Sequence, residues 1–171
     1  HRQNPEAFPF GGWYPGDNVN VAVGQGEVLA TPLQLANAYA VFANAGSRWA
    51  PNIVERIVDH DGGAILDFGP RQASDVEIDP AFRNRVTRGL VGVVDDEEGT
   101  AYWAFNSEAT DGTYFPHDQY PLAGKTGTAE VRGRADTSLF AAFGPVQDPA
   151  YVMVAVLEEA GFGSSVAAPL V

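Results

Sequence analysis

Three extended segments, set close together in the last third of the chain, constrain its fold more than any other feature. Leu122 to Val131, Thr137 to Phe143 and Tyr151 to Glu158 are rich in β-branched, aromatic and small apolar residues. The connections between them, Arg132-Gly133-Arg134 and Gly144 to Pro149, are far shorter than the dozen or more residues of a parallel crossover. Consecutive strands must therefore run antiparallel, as a three-strand meander. A meander with an apolar face needs a second layer to cover it, and the remaining sequence offers helices.

The clearest helix start is Thr31-Pro32-Leu33-Gln34. Thr31 can accept from the Gln34 amide while the Gln34 side chain reaches back to the Thr31 amide, a reciprocal capping box. Pro32 falls at the first helical position, where its missing N–H costs nothing. Leu33, Ala36, Tyr39, Ala40, Phe42 and Ala43 then give a broad apolar face at helical spacing, and Asn44 and Gly46 stop it. So much alanine on one face predicts close packing against another backbone. A second helix is predicted from Asp79 as N-cap and Pro80 as first residue, with Phe82, Val86, Leu90 and Val93 as its buried stripe. The acidic run Asp95 to Glu98 and then Gly99 end it, although carboxylates are unfavourable at that pole of the helix dipole.

Ile53 to Val58 and Ala64 to Phe68 flank Asp61-Gly62-Gly63 and read as a hairpin. Residues 1 to 24, rich in Pro, Gly and aromatics, read as a loop-dominated opening segment with Asn18 to Val23 extended. A closing helix is expected to begin near Ala167-Ala168-Pro169. The fold class that follows is α+β, with helices packed on an antiparallel sheet.

Composition removes several classes of function. With 10 basic against 22 acidic residues in 171, the net charge of -12 repels phosphate backbones, so no nucleic-acid partner is expected. The chain has no cysteine, which excludes disulfides, thiolate catalysis and cysteine-ligated metals. His1, His60 and His117 have no metal-ligand spacing, and neither metal nor cofactor is expected. Gly24-Gln25-Gly26 is too short for a dinucleotide fingerprint, and no Gly-x-Ser-x-Gly elbow is present. Asp95-Asp96-Glu97-Glu98 reads as a solvated acidic turn, and Trp13, Trp49 and Trp103 as packing residues, although Tyr102 and Trp103 precede the lysine strand by one loop. The opening His1-Arg2-Gln3-Asn4-Pro5, with no initiator Met, reads as a piece of something longer.

Lysine occurs once, at Lys125, inside Gly124-Lys125-Thr126-Gly127-Thr128. Residues two apart share a strand face, so Thr126 falls with Thr128 and Lys125 with Gly127. Gly127 lacks a side chain where a ligand backbone would approach. Two hydroxyls on one face beside an ammonium make a place for a carboxylate.

Lys-Thr-Gly followed by Thr resembles the third active-site motif of the serine penicillin-binding proteins and β-lactamases. The resemblance extends to Gly24-Gln25-Gly26, to Leu29 through Ala36 with Tyr39, to Val93-Val94 with Gly99-Thr100-Ala101, to Leu122-Ala123 before the motif, and to Phe140 to Pro145, the strand ending at Glu158 and Ala167-Ala168-Pro169. In this order the matches resemble the later half of a class B penicillin-binding transpeptidase domain, and the Gly24 to Tyr39 stretch leans towards the elongation type. The resemblance implies a penicillin-binding/β-lactamase-like fold and serine acyl transfer on D-Ala-D-Ala stem peptides of peptidoglycan, with β-lactams as inhibitors. It implies catalytic roles for Lys125 (electrostatics and proton traffic) and Thr128 (a backbone oxyanion donor). Thr126, Gly127 and Thr128 are implied to bind substrate, the carboxylate falling to Thr126 and Thr128.

The family's Ser-x-x-Lys and Ser-x-Asn motifs are missing: Ser47, Ser74, Ser107, Ser138, Ser164 and Ser165 all lack a Lys three residues on. The nucleophile is thus expected upstream of His1, in an N-terminal half of the same domain that would be this chain's physical partner. This chain alone is expected to be inert to penicillin. The implied location is the extracytoplasmic face of the bacterial membrane, anchored through an N-terminal segment outside this sequence. Two alternatives stand beside this reading: a β-lactamase or D,D-carboxypeptidase, and a catalytically silent binding or sensing module of the same fold.

Overall fold

The computed structural model describes residues 12–26, 28–107, 114–131 and 133–171. Its centre is an antiparallel sheet of β5 (Ala123–Ala129), β6 (Thr137–Gly144) and β7 (Tyr151–Leu157), in the order β5-β6-β7. The register runs without a bulge, from Ala123 opposite Phe143 to Ala129 opposite Thr137, and from Ser138 opposite Leu157 to Gly144 opposite Tyr151. The meander expected from the short connections is present, with each strand within a few residues of its predicted bounds.

β6 is the spine because both of its faces are covered. Phe140 and Ala142 point into a core with Val94, Ala101, Phe105, Leu122, Ala167 and Ala168. Phe143 points the other way and, with Ala123, meets Ala43 and the partly buried Tyr39, Phe42, Leu90 and Val91. The second face is therefore covered by α2 (Pro32–Ala43) and α3 (Pro80–Asp95). The first is covered by the short α4 (Tyr102–Asn106) and a terminal 3₁₀ turn at Ala168–Leu170. Burying a residue the size of Phe140 or Phe143 contributes about 2–3 kcal/mol, so these two side chains anchor the layers to the sheet.

The predicted caps hold atom by atom. Gln34 N donates to Thr31 Oγ1 (3.2 Å) and Thr31 N to Gln34 Oε1 (2.8 Å). At α3 the Asp79 carboxylate accepts from Ala81 N (2.7 Å) and Phe82 N (3.1 Å). The C-terminal end of α2, which lacks basic residues of its own, is closed from outside. Arg83 Nε donates to Phe42 O (2.9 Å), Arg83 Nη2 to Ala43 O (2.6 Å), and the guanidinium lies 5.9 Å from the Phe42 ring centroid. At the acidic end of α3, Asp95 Oδ1 lies 2.9 Å from His117 Nδ1, a contact over twenty residues away in sequence.

Four expectations need correction. Asn18 to Val23 is not extended: Pro15–Ala22 forms α1. Alternating valines predict a strand, but Pro15 at the first helical position and Asp17, whose carboxylate accepts from Tyr14 N at 2.7 Å, favour the helix more strongly. The rest of the opening segment, residues 1–11, lies outside the described residues. Phe82 does not belong to the buried stripe of α3, being 60 % exposed, whereas Val94 is fully buried. The closing helix is a single 3₁₀ turn. Finally, the hairpin β2 (Arg56–Val58) with β3 (Ala64–Asp67) is present but shorter than predicted, and it is joined by an unforeseen pair, β1 (Ser47–Trp49) with β4 (Gln72–Asp75). β2, β3 and β4 are exposed throughout, so the hairpin and its neighbour project as an arm.

Candidate functional site

Strand β5 carries Lys125-Thr126-Gly127-Thr128 and pairs only with β6 among the described residues, which leaves its other edge free. The register decides where each side chain goes. Thr126 lies opposite Phe140 and Thr128 opposite Ser138, so both hydroxyls share the face covered by α4 and the 3₁₀ turn. Lys125 lies opposite Ala141 and Gly127 opposite Leu139, on the other face. This is the division read from the sequence.

The hydrogen bonds also identify which main-chain groups face the free edge. Lys125 Nζ bends back to Thr126 O (2.8 Å) and reaches Thr126 Oγ1 at 3.4 Å. Gln25 Nε2, from the turn after α1, donates to Thr128 O (3.3 Å). Both carbonyls are taken by groups outside β6. In an antiparallel ladder a residue's N–H and C=O point to one edge, alternating along the strand. The amides of Thr126 and Thr128 therefore point away from β6 as well, along the open edge.

Two loops fix the hydroxyl face. Thr100, between α3 and α4, meets Thr126 through a 2.7 Å hydroxyl–hydroxyl hydrogen bond. The Gly99-Thr100 corner is itself compact, since Gly99 N donates to Asp96 O (2.7 Å) and Ala101 N to Val93 O (2.9 Å). The segment Phe162-Gly163-Ser164-Ser165 lies over the other end: Gly163 N donates to Thr128 Oγ1 (3.4 Å) and Ser138 Oγ to Phe162 O (3.1 Å). Ser138 Oγ also accepts from Ala167 N (3.1 Å), so one buried hydroxyl ties the loop to the sheet at two points.

Glycine is required in two places. A Cβ at Gly163 would collide with Gly127 O and Leu139 O and come within 3.0 Å of Gly127 N. A Cβ at Gly127 would meet Leu139 Cβ at 3.2 Å. Gly163 thus lets the loop lie flat on β5, while Gly127 leaves the opposite face of the strand low.

Beside Thr100 is a cavity of about 290 Å³ lined by Thr100, Trp103, Ala104, Ser164, Ser165 and Pro169. Trp103 is 72 % exposed and stacks edge-on with Tyr102 (5.1 Å, 84°). The Trp103 indole therefore lines a concavity next to the hydroxyl face and does not fill the core, contrary to its reading as a packing residue. Sequence reasoning gave Gly163 no role, and met Gln25 only within the Gly24-Gln25-Gly26 match and His117 only as a histidine without metal-ligand spacing. Gln25 and Gly163 act across 103 and 35 residues of chain onto Thr128, and no local pattern encodes such a contact. His117 touches Asp95 and, through Nε2, Phe105 O at 3.2 Å, and so helps hold the stretch before β5.

A meander with one open edge, a Lys-Thr-Gly-Thr run on that edge and helices on both faces define an α+β domain of the penicillin-recognising type. The chain belongs to the family described as the penicillin-binding protein transpeptidase domain, which it matches over residues 8–171. It is 32% identical over 176 residues to the peptidoglycan D,D-transpeptidase MrdA of Haemophilus influenzae, covering 92% of this chain and 25% of that protein. The Escherichia coli MrdA is 28% identical over 169 residues, covering 90% and 25%. Among solved structures, Pseudomonas aeruginosa PBP2 in complex with WCK 5153 superposes with a TM-score of 0.71 at 34% identity, covering 99% of this chain and 33% of that one. The imipenem acyl-enzyme complex of penicillin-binding protein A from M. tuberculosis superposes with a TM-score of 0.67 at 26% identity, covering 88% and 31%. The chain spans about a quarter of the curated relatives' length.

Proposed function

We propose that this chain supplies one wall of the active site of a peptidoglycan D,D-transpeptidase, whose serine nucleophile lies in an N-terminal half of the same domain. The observation that carries the reading is the open edge of β5, where the Thr126 and Thr128 hydroxyls share one face and the Thr128 amide points outward. The relatives named D,D-transpeptidase and the imipenem acyl-enzyme complex among its structural neighbours support it.

Each group has a task that its geometry suits. A D-Ala-D-Ala terminus or a β-lactam presents a carboxylate, which the two hydroxyls of Thr126 and Thr128 hold by charge-assisted hydrogen bonds. The Lys125 ammonium, already at Thr126 Oγ1, adds positive potential and a route for protons. An incoming serine oxygen attacks the carbonyl carbon of the penultimate D-Ala and gives up its proton, and the carbonyl oxygen becomes an oxyanion. The Thr128 N–H is one donor to that oxyanion, a contact worth about 3 kcal/mol of transition-state stabilisation. The C–N bond then breaks and the terminal D-Ala departs with the proton on its amine; an acceptor amine attacks the serine ester, the acyl C–O bond breaks, and the amine's proton returns to the serine oxygen. Gly127 keeps the strand low for the substrate backbone, and Gly163 lets its loop lie close over β5.

Because peptidoglycan lies outside the cytoplasmic membrane, the complete protein works there. No helix among the described residues is long and apolar enough to cross a membrane. The complete polypeptide should be labelled covalently by fluorescent penicillin, in an adduct that persists for hours. The 171-residue chain alone, without Ser-x-x-Lys, should remain unlabelled. Rapid turnover of penicillin by the complete protein would make it a β-lactamase, and absence of any adduct would leave only a binding module.

A further inference from the structure

We infer that Gln25 is a positioning residue for the Thr128 amide, an inference that rests on the transpeptidase reading above. Gln25 sits between Gly24 (φ +79°) and Gly26 (φ +93°), both in the left-handed region that favours glycine. This turn is locked to α1, because Gln25 N donates to Asn20 O (2.9 Å) and Gly24 N to Val21 O (3.0 Å). A Cβ at Gly26 would press on Asn20 Cβ at 3.2 Å, so the turn also lies close against the helix. The carboxamide is thus delivered from a rigid corner. Its Nε2 donates to Thr128 O in a partly buried contact.

Beyond Gln25, the free edge at Thr128 has no partner strand among the described residues. The Thr128 C=O and N–H belong to adjoining peptide planes hinged at its Cα, so rotation of an unpaired edge carbonyl about ψ loosens the hinge that also sets the N–H direction. A donor fixed to Thr128 O opposes that rotation and holds the Thr128 N–H in the direction the oxyanion requires. Oxyanion donors act through preorganisation, so their effect is lost when the donor is free to swing. Thr128 is then held at three places: its carbonyl by Gln25, its hydroxyl by Gly163 N, and its backbone by β6.

The test uses the complete transpeptidase and measures the rate constant of acylation by penicillin against pH, together with the thermal midpoint. Gln25→Ala should slow acylation on the order of tenfold, a fraction of the loss seen when an oxyanion donor is removed altogether. The non-covalent affinity for penicillin should stay near the wild-type value. Gln25→Glu is the decisive variant. As a carboxylate it cannot donate, so it should be at least as slow as Gln25→Ala at pH 8. As the pH is lowered through the ordinary glutamate value of about 4.3 it regains an O–H donor, and its rate relative to wild type should recover. Wild-type acylation by Gln25→Ala overturns the inference. So does a Gln25→Glu deficit that is the same at every pH, which marks a structural role only. If the wild-type protein is not acylated at all, the transpeptidase reading itself fails, and this inference with it.

Discussion

Replacing Gly163 with Ala perturbs the site through a single methyl group, and the structure sets the scale of the effect. The new Cβ would collide with Gly127 O and Leu139 O and approach Gly127 N to 3.0 Å. All three are main-chain atoms of β5 and β6, so no side chain can turn aside to make room. Overpacking a core costs about 1–3 kcal/mol even where side chains can adjust. Here the loop must lift instead, which breaks Gly163 N to Thr128 Oγ1 and the two bonds of Ser138 to Phe162 O and Ala167 N. Each such bond contributes about 1 kcal/mol net, so the total loss is about 3 kcal/mol. At about 2 °C per kcal/mol, the thermal midpoint of the complete domain should fall by about 6 °C. Acylation by fluorescent penicillin should fall with it, because the lifted loop releases Thr128. The opposite control is Gly89→Ala, within α3 and with nothing within 4 Å of its Cβ. It should stabilise by about 1 kcal/mol through helix propensity. A Gly163→Ala protein with wild-type melting and acylation would refute the packing argument.

Other perturbations give separate readouts. Arg83→Met removes two charge-assisted bonds to the end of α2 and should cost about 2–3 kcal/mol in denaturant unfolding. Arg83→Lys should restore only part of this, since an ammonium cannot fork between two carbonyls. Thr126→Val removes a hydroxyl from the proposed carboxylate site, and the penicillin concentration for half-maximal acylation should rise about tenfold or more with little change in melting. Burial pushes the Tyr39 phenol above its ordinary value. A raised folded-state value gives stability that is complete below the unfolded value of about 10 and is lost as pH climbs past it. Denaturant midpoints measured from pH 9 to 11 should therefore fall less steeply in Tyr39→Phe.

The sequence revealed what local chemistry determines. The caps at Thr31 and Asp79 were legible because donor and acceptor lie three residues apart, and the meander because short connections admit one topology. The α1 segment was misread because alternating Val19, Val21 and Val23 carry a strand period that a Pro15 and Asp17 helix start overrode. The β1–β4 pair was missed because its partners are 23 to 28 residues apart and mostly polar, so neither spacing nor burial marked them. In the site, the faces of Lys125, Thr126, Gly127 and Thr128 followed from the two-residue period of a strand. The groups that tune those residues did not, because Thr100, Gln25 and Gly163 reach β5 from separate loops. Phe82 shows the same limit in the core: its helical spacing is apolar and regular, yet its surroundings within this chain leave it in solvent.

The claim at the centre of this account is that the open edge of β5 holds the carboxylate and the oxyanion of the bound acyl donor. A crystal structure of the complete transpeptidase domain after reaction with penicillin tests it most directly. The account predicts the penicillin carboxylate within hydrogen-bond distance of the Thr126 and Thr128 hydroxyls, and the ester carbonyl oxygen within about 3 Å of Thr128 N. An adduct whose carboxylate and carbonyl oxygen lie away from residues 125–128 would contradict it.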